Sequence, residues 1–496
     1  MAERVERAKK GERQAPPFWV FSLYFAEGFP YSLVRQISTV YFKDFGASLQ
    51  AIGLTSLYGL PWVLKFLWAP LADAFATKRH WLLAAEVALV GAALSLTFGS
   101  ATPHALAVGS ILFLVTAFFS ASHDIAIDGY YLEALDRKEQ AKFVGYQAMA
   151  YRLALIAGGG GIVWLSGVTN WSTGFGIAAV LLAGLFFFHF FFLPRVEEPQ
   201  APVRRLFMLA ARPRNLFALA VCTVAVYGLS LLWAAQPVQS FIAPARPYLK
   251  KIGLPGLITI ALLIVMLGFL ANLPRLKRRL YASDSFYAKA FVDYLDQPRI
   301  GVILAFLVFY RTGESFLLAM VYPMLKDIGV NRAEYGLLYG TFGIAASIIG
   351  GIFGGHLIGR FGLRKTAWPL VLAQNIPNLL YMVLAFSYRT ISGHPDLGRA
   401  NLAVVGVFVV LEAFGAGMGT ALFMVFIMRT CKSAYKAAHM SIATSIMNVS
   451  STLVGVFSGF LAAWLGFPLF FGFTFLATVP GMAMIPFLPH MNETAA

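Results

Sequence analysis

The sequence predicts an all-α, multi-pass membrane protein built from two six-helix bundles with two further helices inserted between them. Of its 496 residues, 59% are hydrophobic and only 12% are charged, whereas about a quarter of the residues in a soluble domain are charged. Apolar stretches of about 20 residues, the length that crosses a bilayer, recur from one end of the chain to the other. This pattern excludes a water-soluble globular protein and a soluble domain on a single anchor.

About fourteen stretches are long and apolar enough to span a membrane, in groups of six, two and six. The predicted spans are Phe18–Phe42, Leu49–Leu71, Trp81–Gly99, Ala105–Leu132, Phe143–Gly167, Trp171–Leu193, Asn215–Ala235, Leu254–Leu273, Ile300–Leu325, Glu334–Ile358, Thr366–Phe386, Leu402–Met428, Ala437–Leu465 and Pro468–Leu488. The predicted regions are a basic N-terminus (1–17), an N-terminal bundle (18–194), basic linkers with the two extra helices (195–299), a C-terminal bundle (300–488) and a short tail (489–496).

The distribution of basic residues predicts the topology. A net charge of +16 is compatible with nucleic acid or anionic lipid as a partner. If the N-terminus is cytoplasmic, 27 of the 39 Lys and Arg residues fall in cytoplasmic segments, 8 in outer segments and 4 within spans. Because Lys and Arg are enriched in cytoplasmic loops, both termini are predicted to be cytoplasmic. The positive net charge is then explained by the basic residues of the cytoplasmic segments of a membrane protein, and no nucleic-acid partner is expected.

The two bundles repeat each other weakly, as in transporters that are built from duplicated units. The segment KDFG at 43–46 matches KDIG at 326–329, an offset of 283 residues. The turn at 73–79 aligns with the turn at 359–365, an offset of 286 residues, and a tryptophan follows each turn. Two landmarks at nearly the same offset favour an internal duplication.

These two basic turns are candidate gating loops. Fixed cations on a short turn can pair with an acid or with a helix end on a neighbouring helix, and such a pairing can latch one state of a rocking transporter. The alternative is that the basic residues only set the topology. The candidate gating residues are Asp73, Lys78 and Arg79 in the first half and Arg360, Arg364 and Lys365 in the second.

The fourth predicted span carries the densest group of polar side chains. Asp124 and Asp128 are four residues apart and therefore share one helix face. Two carboxylates in one stripe are costly in a membrane unless they face the bundle interior, and this proximity favours proton binding. With Glu27 and Glu314, they are the candidate proton-coupling residues. The alternative is a buried ion pair of Asp124 with Lys65 or Arg152 that only holds helices together.

Four cations lie inside predicted spans, and each costs a few kcal/mol at the bilayer centre unless it faces a cavity or an acid. Three have an acid within two turns of their own helix: Arg35 has Glu27, Lys65 has Asp73, and Arg311 has Glu314. Arg152 has none, which makes it the strongest candidate for binding an anionic ligand or Asp124. His123 adds a separate hydrogen-bonding or titratable group. The candidate substrate-binding residues are thus Arg35, Lys65, His123, Arg152 and Arg311.

The sequence contains no pattern that indicates catalysis. Cys222 and Cys431 have no CxxC spacing, and we find no metal-ligand cluster, no nucleophile motif and no large soluble domain. We therefore expect no cofactor, no metal and no enzymatic activity. A membrane-embedded transferase is the least favoured alternative.

Several segments resemble AmpG-type muropeptide permeases, which belong to the branch of the major facilitator superfamily that also holds acetyl-coenzyme A transporters. The segments that carry the resemblance are Phe25–Pro30, Lys65–Asp73, Phe119–Asp124, Tyr151–Leu153, Tyr310–Glu314 and Gly417–Ala421. The turn at 355–365 is similar to the superfamily signature G-x-x-x-D-R-x-G-R-R but has Gly359 in place of the acid. The chain also has His123 where AmpG-type proteins have glutamine.

The resemblance implies a major facilitator fold and proton-driven import of N-acetylglucosaminyl-anhydromuramyl peptides by alternating access. It further implies a place in the bacterial inner membrane and a role in peptidoglycan recycling, and we expect a monomer. Substrate and proton chemistry would lie near Lys65, Asp124, Arg152 and Glu314. A permease for a siderophore, for acetyl-coenzyme A or for drug efflux is the main alternative.

Overall fold

The computed structural model describes residues 16–65, 68–135, 137–195, 286–388, 400–431 and 436–491, with short pieces between 202 and 282. The secondary-structure elements in this part of the chain are all helices. The predicted span at 215–235 lies outside the described residues, as do most of the span at 254–273 and the basic N-terminus up to residue 15.

The N-terminal half begins with a long helical rod in which a π-helical turn, Leu33–Ile37, joins α1 (Pro16–Ser32) to α2 (Ser38–Asp44). The remaining helices are α3 (Leu49–Leu54), α4 (Leu60–Leu64), α5 (Ala69–Ala74), α6 (Lys78–Gly99), α7 (Ala105–Ala134), α8 (Arg137–Leu155), α9 (Val163–Val168) and α10 (Trp171–Phe192). The side chains of Ser48, Thr77 and Asn170 cap α3, α6 and α10 by accepting backbone N–H groups of the first turn, which stabilises each helix start.

The C-terminal half contains the same kind of rods. Its helices are α11 (Phe286–Leu295), α12 (Ile300–Phe309), α13 (Thr312–Asp327), α14 (Arg332–Leu337), α15 (Ile344–Phe361), α16 (Leu363–Asn375), α17 (Asn378–Ser387), α18 (Leu402–Thr430), α19 (Lys436–Leu476) and α20 (Val479–Met484). Within α19, Gly466 has φ 73° and ψ 156°, a conformation that only glycine adopts readily. The rod therefore changes direction there, which confirms the predicted boundary between Leu465 and Pro468.

Nine helices in the described part of the chain are long and apolar enough to cross a membrane. This confirms a multi-pass helical protein, while the full count of fourteen spans stays a prediction. The first two predicted spans are interrupted rods, because the π-helical turn breaks one and the 3₁₀ turn Thr55–Gly59 breaks the other. Interrupted helices commonly line transport sites.

The helix ends define two faces of the molecule. What we call the basic face carries the turns at 75–77 and 361–362, Leu135 after α7, and the ends of α10 and α18. The opposite face carries the turns at 45–48, 100–104, 169–170 and 328–331. Large apolar side chains on the outer surface, such as Phe98, Ile111, Phe191 and Ile352, are exposed, as lipid-facing positions require.

Candidate functional site

A cavity of about 830 Å³ lies between the two halves. The interrupted rods of the N-terminal half, together with α7 and α8, form one wall, and α19 forms the other. Its polar lining includes Glu27, Arg35, Lys65, Asp124, Asn448 and Ser451. A space of about 340 Å³ shares Tyr31, Arg35 and Ser451 with this cavity and extends to Arg311 in the C-terminal half. Five candidate residues from four predicted spans therefore line these two connected spaces.

An ion pair stands at the centre of the N-terminal wall. Lys65 Nζ donates to Asp124 Oδ2, so the predicted alternative of a Lys65–Asp124 pair is formed. Glu27 lies beside both groups, and its Oε2 accepts no hydrogen bond from the described residues. Trp68 Nε1 donates to Ser122 Oγ at 3.1 Å, which ties the segment after Lys65 to α7. The cavity thus holds two carboxylates and one ammonium group.

Asp128 lies one turn after Asp124 and faces the same neighbouring helix. Its Oδ1 accepts a hydrogen bond from the hydroxyl of Tyr24 in α1 at 3.1 Å. Asp124 faces Glu27, which also belongs to α1. The prediction that the two aspartates share one face of α7 is confirmed. Asp128 is exposed, whereas Asp124 is buried.

The C-terminal half contributes a matching polar group. Arg311 donates from Nε and Nη2 to the two carboxylate oxygens of Glu314, at 3.0 and 2.5 Å. Gln374 Nε2 also donates to Glu314, at 2.9 Å. The predicted neutralisation of Arg311 by Glu314 within one helix is confirmed, and Arg311 faces the smaller space.

The other two cations within predicted spans, Arg35 and Arg152, differ from the expected pairings. Arg35 Nη1 donates to the backbone carbonyl of Ser56 at 2.9 Å and makes no ion pair with Glu27. Arg152 lies half-buried beside Tyr151, a cavity residue, but it has no hydrogen bond or ion pair with any residue that the structure describes. Because Asp124 pairs with Lys65, the predicted alternative of an Arg152–Asp124 pair is not formed. The positive charge of Arg311, in the C-terminal half, acts on the Arg152 guanidinium across the interface between the halves.

His123 faces away from the cavity. It is 1% exposed, and its Nε2 lies 3.4 Å from Glu86 Oε1. The same carboxylate oxygen lies 2.5 Å from His189 Nδ1. Glu86 is isolated along the sequence, and only the packing of α6, α7 and α10 brings the two histidines to it.

The first-half gating turn meets helix ends. Lys78 Nζ donates to the carbonyl of Ala72 at 2.8 Å, and Arg79 Nη2 donates to the carbonyl of Phe190 at 2.6 Å. These carbonyls belong to the ends of α5 and α10, where a cation is favourable. Asp73 lies in α5, and its side chain is outside the described residues.

The second-half gating turn is more open. Arg360, Arg364 and Lys365 are exposed, and the Arg360 guanidinium stacks over the ring of Phe361 at 5.3 Å. Gly362, with φ 82°, separates α15 from α16. The gating role of this turn stays a prediction.

Reciprocal ion pairs join the two halves at the opposite face. Lys43 Nζ lies 2.7 Å from Asp327 Oδ1, and Lys326 Nζ lies 2.6 Å from Asp44 Oδ1. Arg332 Nη1 binds the other oxygen of Asp44 at 2.7 Å. The sequence shows the repeated Lys-Asp dipeptide, but its role emerges only when the two copies are brought face to face.

The backbones of the two halves also meet on that side. A Cβ atom on Gly340 would lie 2.1 Å from the carbonyl oxygen of Gly159, and one on Gly167 would lie 2.3 Å from the nitrogen of Ala333. Only glycine permits this approach. The opposite face is therefore closed by direct contact.

Aromatic rings and small polar side chains complete the cavity. Tyr31 packs edge-on against Trp62 at 5.0 Å and lies 5.9 Å from Tyr151. Across the cavity, α19 presents a polar stripe that the sequence analysis missed. Its members are Thr444, Asn448, Ser451 and Thr452. Their i, i+4, i+7 and i+8 spacing inside an apolar span is the signal that would have found them.

Comparison with known proteins gives consistent matches over nearly the whole chain. The model of the Major Facilitator Superfamily matches residues 20–289 and 302–495. The chain is 24% identical over 470 residues to the anhydromuropeptide permease of Escherichia coli (strain K12). This alignment covers 93% of this chain and 77% of that protein. It is 22% identical over 485 residues to the putative transporter AmpG 1 of Rickettsia prowazekii, covering 94% of this chain and 96% of that protein.

Solved structures show the same fold. A POT family transporter in complex with 5-aminolevulinic acid superposes with a TM-score of 0.65 at 16% identity, over 96% of each chain. A D-xylose-proton symporter superposes with a TM-score of 0.56 at 12% identity, over 96% of this chain and 98% of that chain. The relatives named AmpG and anhydromuropeptide permease confirm the resemblance seen in the sequence, and the chain belongs to the Major Facilitator Superfamily.

Proposed function

We propose that this transporter is a proton-coupled importer of muropeptides that works by alternating access in the bacterial inner membrane, as a monomer with both termini in the cytoplasm. The observation that carries the proposal is the cavity between the halves, where the Lys65–Asp124 ion pair and Glu27 face a group of aromatic rings. The name of the Escherichia coli relative supports the substrate class.

The cavity chemistry fits a glycopeptide. Sugar rings pack against aromatic side chains, and Tyr31, Trp62 and Tyr151 offer three such surfaces. The carboxylates of the peptide need cations, and Arg35 and Lys65 line the cavity. The polar stripe of α19 would supply hydrogen bonds from the other half.

The ion pair suggests how proton and substrate are coupled. While Asp124 is ionised it holds the Lys65 ammonium group. When Asp124 takes a proton, that ammonium group is released and becomes available to a substrate carboxylate. Proton binding and substrate binding would then favour each other through one lysine, and Glu27 and Asp128 would share the proton with Asp124.

The two faces support an inward-facing state. The opposite face is closed by the reciprocal ion pairs, and the cavity lies nearer the basic face, since Met440, only four residues from the start of α19, lines it. Because basic segments remain in the cytoplasm, the basic face would be cytoplasmic. Import would require the ion pairs at the outer face to separate in each cycle.

Uptake into proteoliposomes tests the substrate class. Radiolabelled anhydromuropeptide should accumulate, and unlabelled muropeptide should compete with it better than acetyl-coenzyme A or a siderophore. Chromatography of the vesicle contents should show an unchanged molecule. If only acetyl-coenzyme A or only a siderophore competes, the protein is a permease for that compound and the muropeptide proposal is wrong. A chemically altered product would support the transferase alternative.

A further inference from the structure

A separate cavity, of about 660 Å³, lies in the C-terminal half at the basic face. Its lining comes from three parts of the chain: Arg299 just before α12, Arg364 and Trp368 in α16, and the segment 485–491 at and after the end of α20. None of these residues lines the cavity between the two halves or the space beside it. The proposed transport cycle therefore leaves this cavity unexplained.

Hydrogen bonds to backbone carbonyls fix the shape of this cavity. Arg299 Nη1 donates to the carbonyl of Phe487 at 3.2 Å. Arg429 Nη1, from the end of α18, donates to the carbonyls of His490 and Met491 at 3.0 and 3.1 Å. Arg299 and His490 have left-handed φ angles of 57° and 61°, and such a backbone persists only where the surrounding contacts impose it. The C-terminal segment is thus held in one position against the bundle.

The charge of the lining favours an anion. The guanidinium groups of Arg299 and Arg364 both belong to it, and the described residues that line the cavity include no carboxylate. Both arginines are exposed, so a ligand can reach them from outside the bundle. A guanidinium group binds phosphate oxygens through parallel N–H donors. A phosphate group therefore matches the polar part of this site.

Apolar surface beside the two arginines favours the phosphate of a lipid. Trp368 is 43% exposed and Phe487 is 59% exposed, and tryptophan is enriched where a membrane meets water. Arg364 follows the turn at 361–362, on the face that the proposed topology assigns to the cytoplasm. Basic pockets between membrane helices on the cytoplasmic side bind anionic lipid head groups. A free phosphate ion has no apolar part that would use this surface.

We propose that this cavity binds the phosphate head group of an anionic phospholipid from the leaflet at the basic face. The phosphate oxygens accept hydrogen bonds from Arg299 and Arg364, and the acyl chains lie along the apolar surface around Trp368. The bound lipid connects the starts of α12 and α16 with the C-terminal segment. Its binding does not depend on which substrate the protein transports.

Binding of phosphatidylglycerol to the purified full-length protein in detergent tests the site, with bound lipid counted by native mass spectrometry. Arg364→Gln should weaken binding about fivefold, and Arg364→Gln combined with Arg299→Gln about 25-fold, because each basic residue adds to the attraction for an anionic head group. The matched control combines Arg360→Gln with Lys365→Gln. It removes the same charge from exposed positions of the same turn, outside the cavity lining, and should bind the lipid as the unaltered protein does.

Two further ligands distinguish a lipid from a free anion. Phosphatidylcholine, whose head group has no net charge, should bind more weakly than phosphatidylglycerol, and millimolar inorganic phosphate should not displace the bound lipid. Displacement by inorganic phosphate would show a site for free anions and overturn the proposal. Equal binding of phosphatidylglycerol by Arg364→Gln and the unaltered protein would also overturn it. Arg364→Gln leaves the hydrogen bond of Arg299 to Phe487 in place, so this comparison decides even if the double variant is unstable.

Discussion

At the scale of single residues, the central feature is a carboxylate that can exchange one partner for another. Asp124 is buried and paired with Lys65, and Glu27 lies beside them without a cation of its own in the described structure. A buried ion pair is worth little net stability, but leaving one member unpaired is costly. Each charge at this site therefore depends on the presence of the other.

A double-mutant cycle tests that dependence. Lys65→Met alone should lower the melting temperature in detergent by several degrees, because it leaves Asp124 unpaired. In an Asp124→Asn background the same change should have little effect, since the amide needs no counter-charge. An interaction energy of about 1 kcal/mol or more is expected between the two sites. Additive shifts in melting temperature would contradict the pairing.

The pair of Arg311 with Glu314 was predictable, whereas Arg35 and Lys65 do not form the ion pairs expected within their own helices, and the pairs between helices were not predictable. Arg311 and Glu314 lie three residues apart, so their contact follows from helix geometry alone. The sequence left Asp124 with two possible partners, Lys65 and Arg152, because the choice depends on how α4 and α8 pack against α7. The contact of His189 with Glu86 joins residues 103 positions apart, and no local pattern announces it.

At the scale of elements, the interrupted helices and the glycine contacts set the shape of the site. The π-helical turn Leu33–Ile37 places Arg35 in the cavity wall. On the opposite face, Gly159 and Gly340 let two helices approach backbone to backbone. The first feature shapes the cavity, and the second closes one end of it.

A methyl group at this contact should block closure. Gly340→Ala would place its Cβ 2.1 Å from a backbone oxygen, which cannot be relieved by rotating a side chain. We expect uptake to fall by about tenfold or more, because the added methyl group forces the two helices apart and so destabilises the closed state of this face. Gly355→Ala is the matched control, since nothing lies within 4 Å of that position. Equal uptake by the two variants would show that close contact at Gly340 is not needed.

Helix limits were predicted well where hydrophobic length alone sets them. The predicted span Trp171–Leu193 corresponds to α10, Trp171–Phe192, and Leu402–Met428 corresponds to α18, Leu402–Thr430. The interruptions at 33–37 and 55–59 were not predicted. The sequences LVRQI and TSLYG contain no proline that would indicate a break, so nothing local predicts the departure from α-helical geometry.

At the scale of the whole molecule, the repeated Lys-Asp dipeptide joins the two bundles. Each lysine reaches the aspartate of the other half, at 2.7 and 2.6 Å. Asp44 has the most partners, because Tyr322 and Arg332 also donate to it. The duplicated dipeptide thus gives two equivalent ion pairs, which can form only when the two halves are in contact on that side.

Removing the charge of Asp44 should open the opposite face. Charge-assisted hydrogen bonds contribute about 1.5–3 kcal/mol each, so Asp44→Asn should shift the equilibrium between the two states by about tenfold or more toward the open one. Spin labels at Thr102→Cys and Ser387→Cys, one exposed position in each half, should show longer distances. Asp296→Asn, at a site away from the interface, is the control. An unchanged distance distribution would contradict the closing role of the ion pairs.

The most direct test of proton coupling compares the unaltered protein with Asp124→Asn in proteoliposomes. Labelled anhydromuropeptide is supplied outside the vesicles, and unlabelled compound is placed inside them for the exchange measurement. Uptake driven by an imposed pH gradient and exchange at equal pH should be measured on the same preparations. We expect Asp124→Asn to lose the dependence of uptake on the pH gradient while remaining folded, as judged by its melting temperature. Full gradient-dependent uptake by Asp124→Asn would contradict the role of this carboxylate in proton coupling.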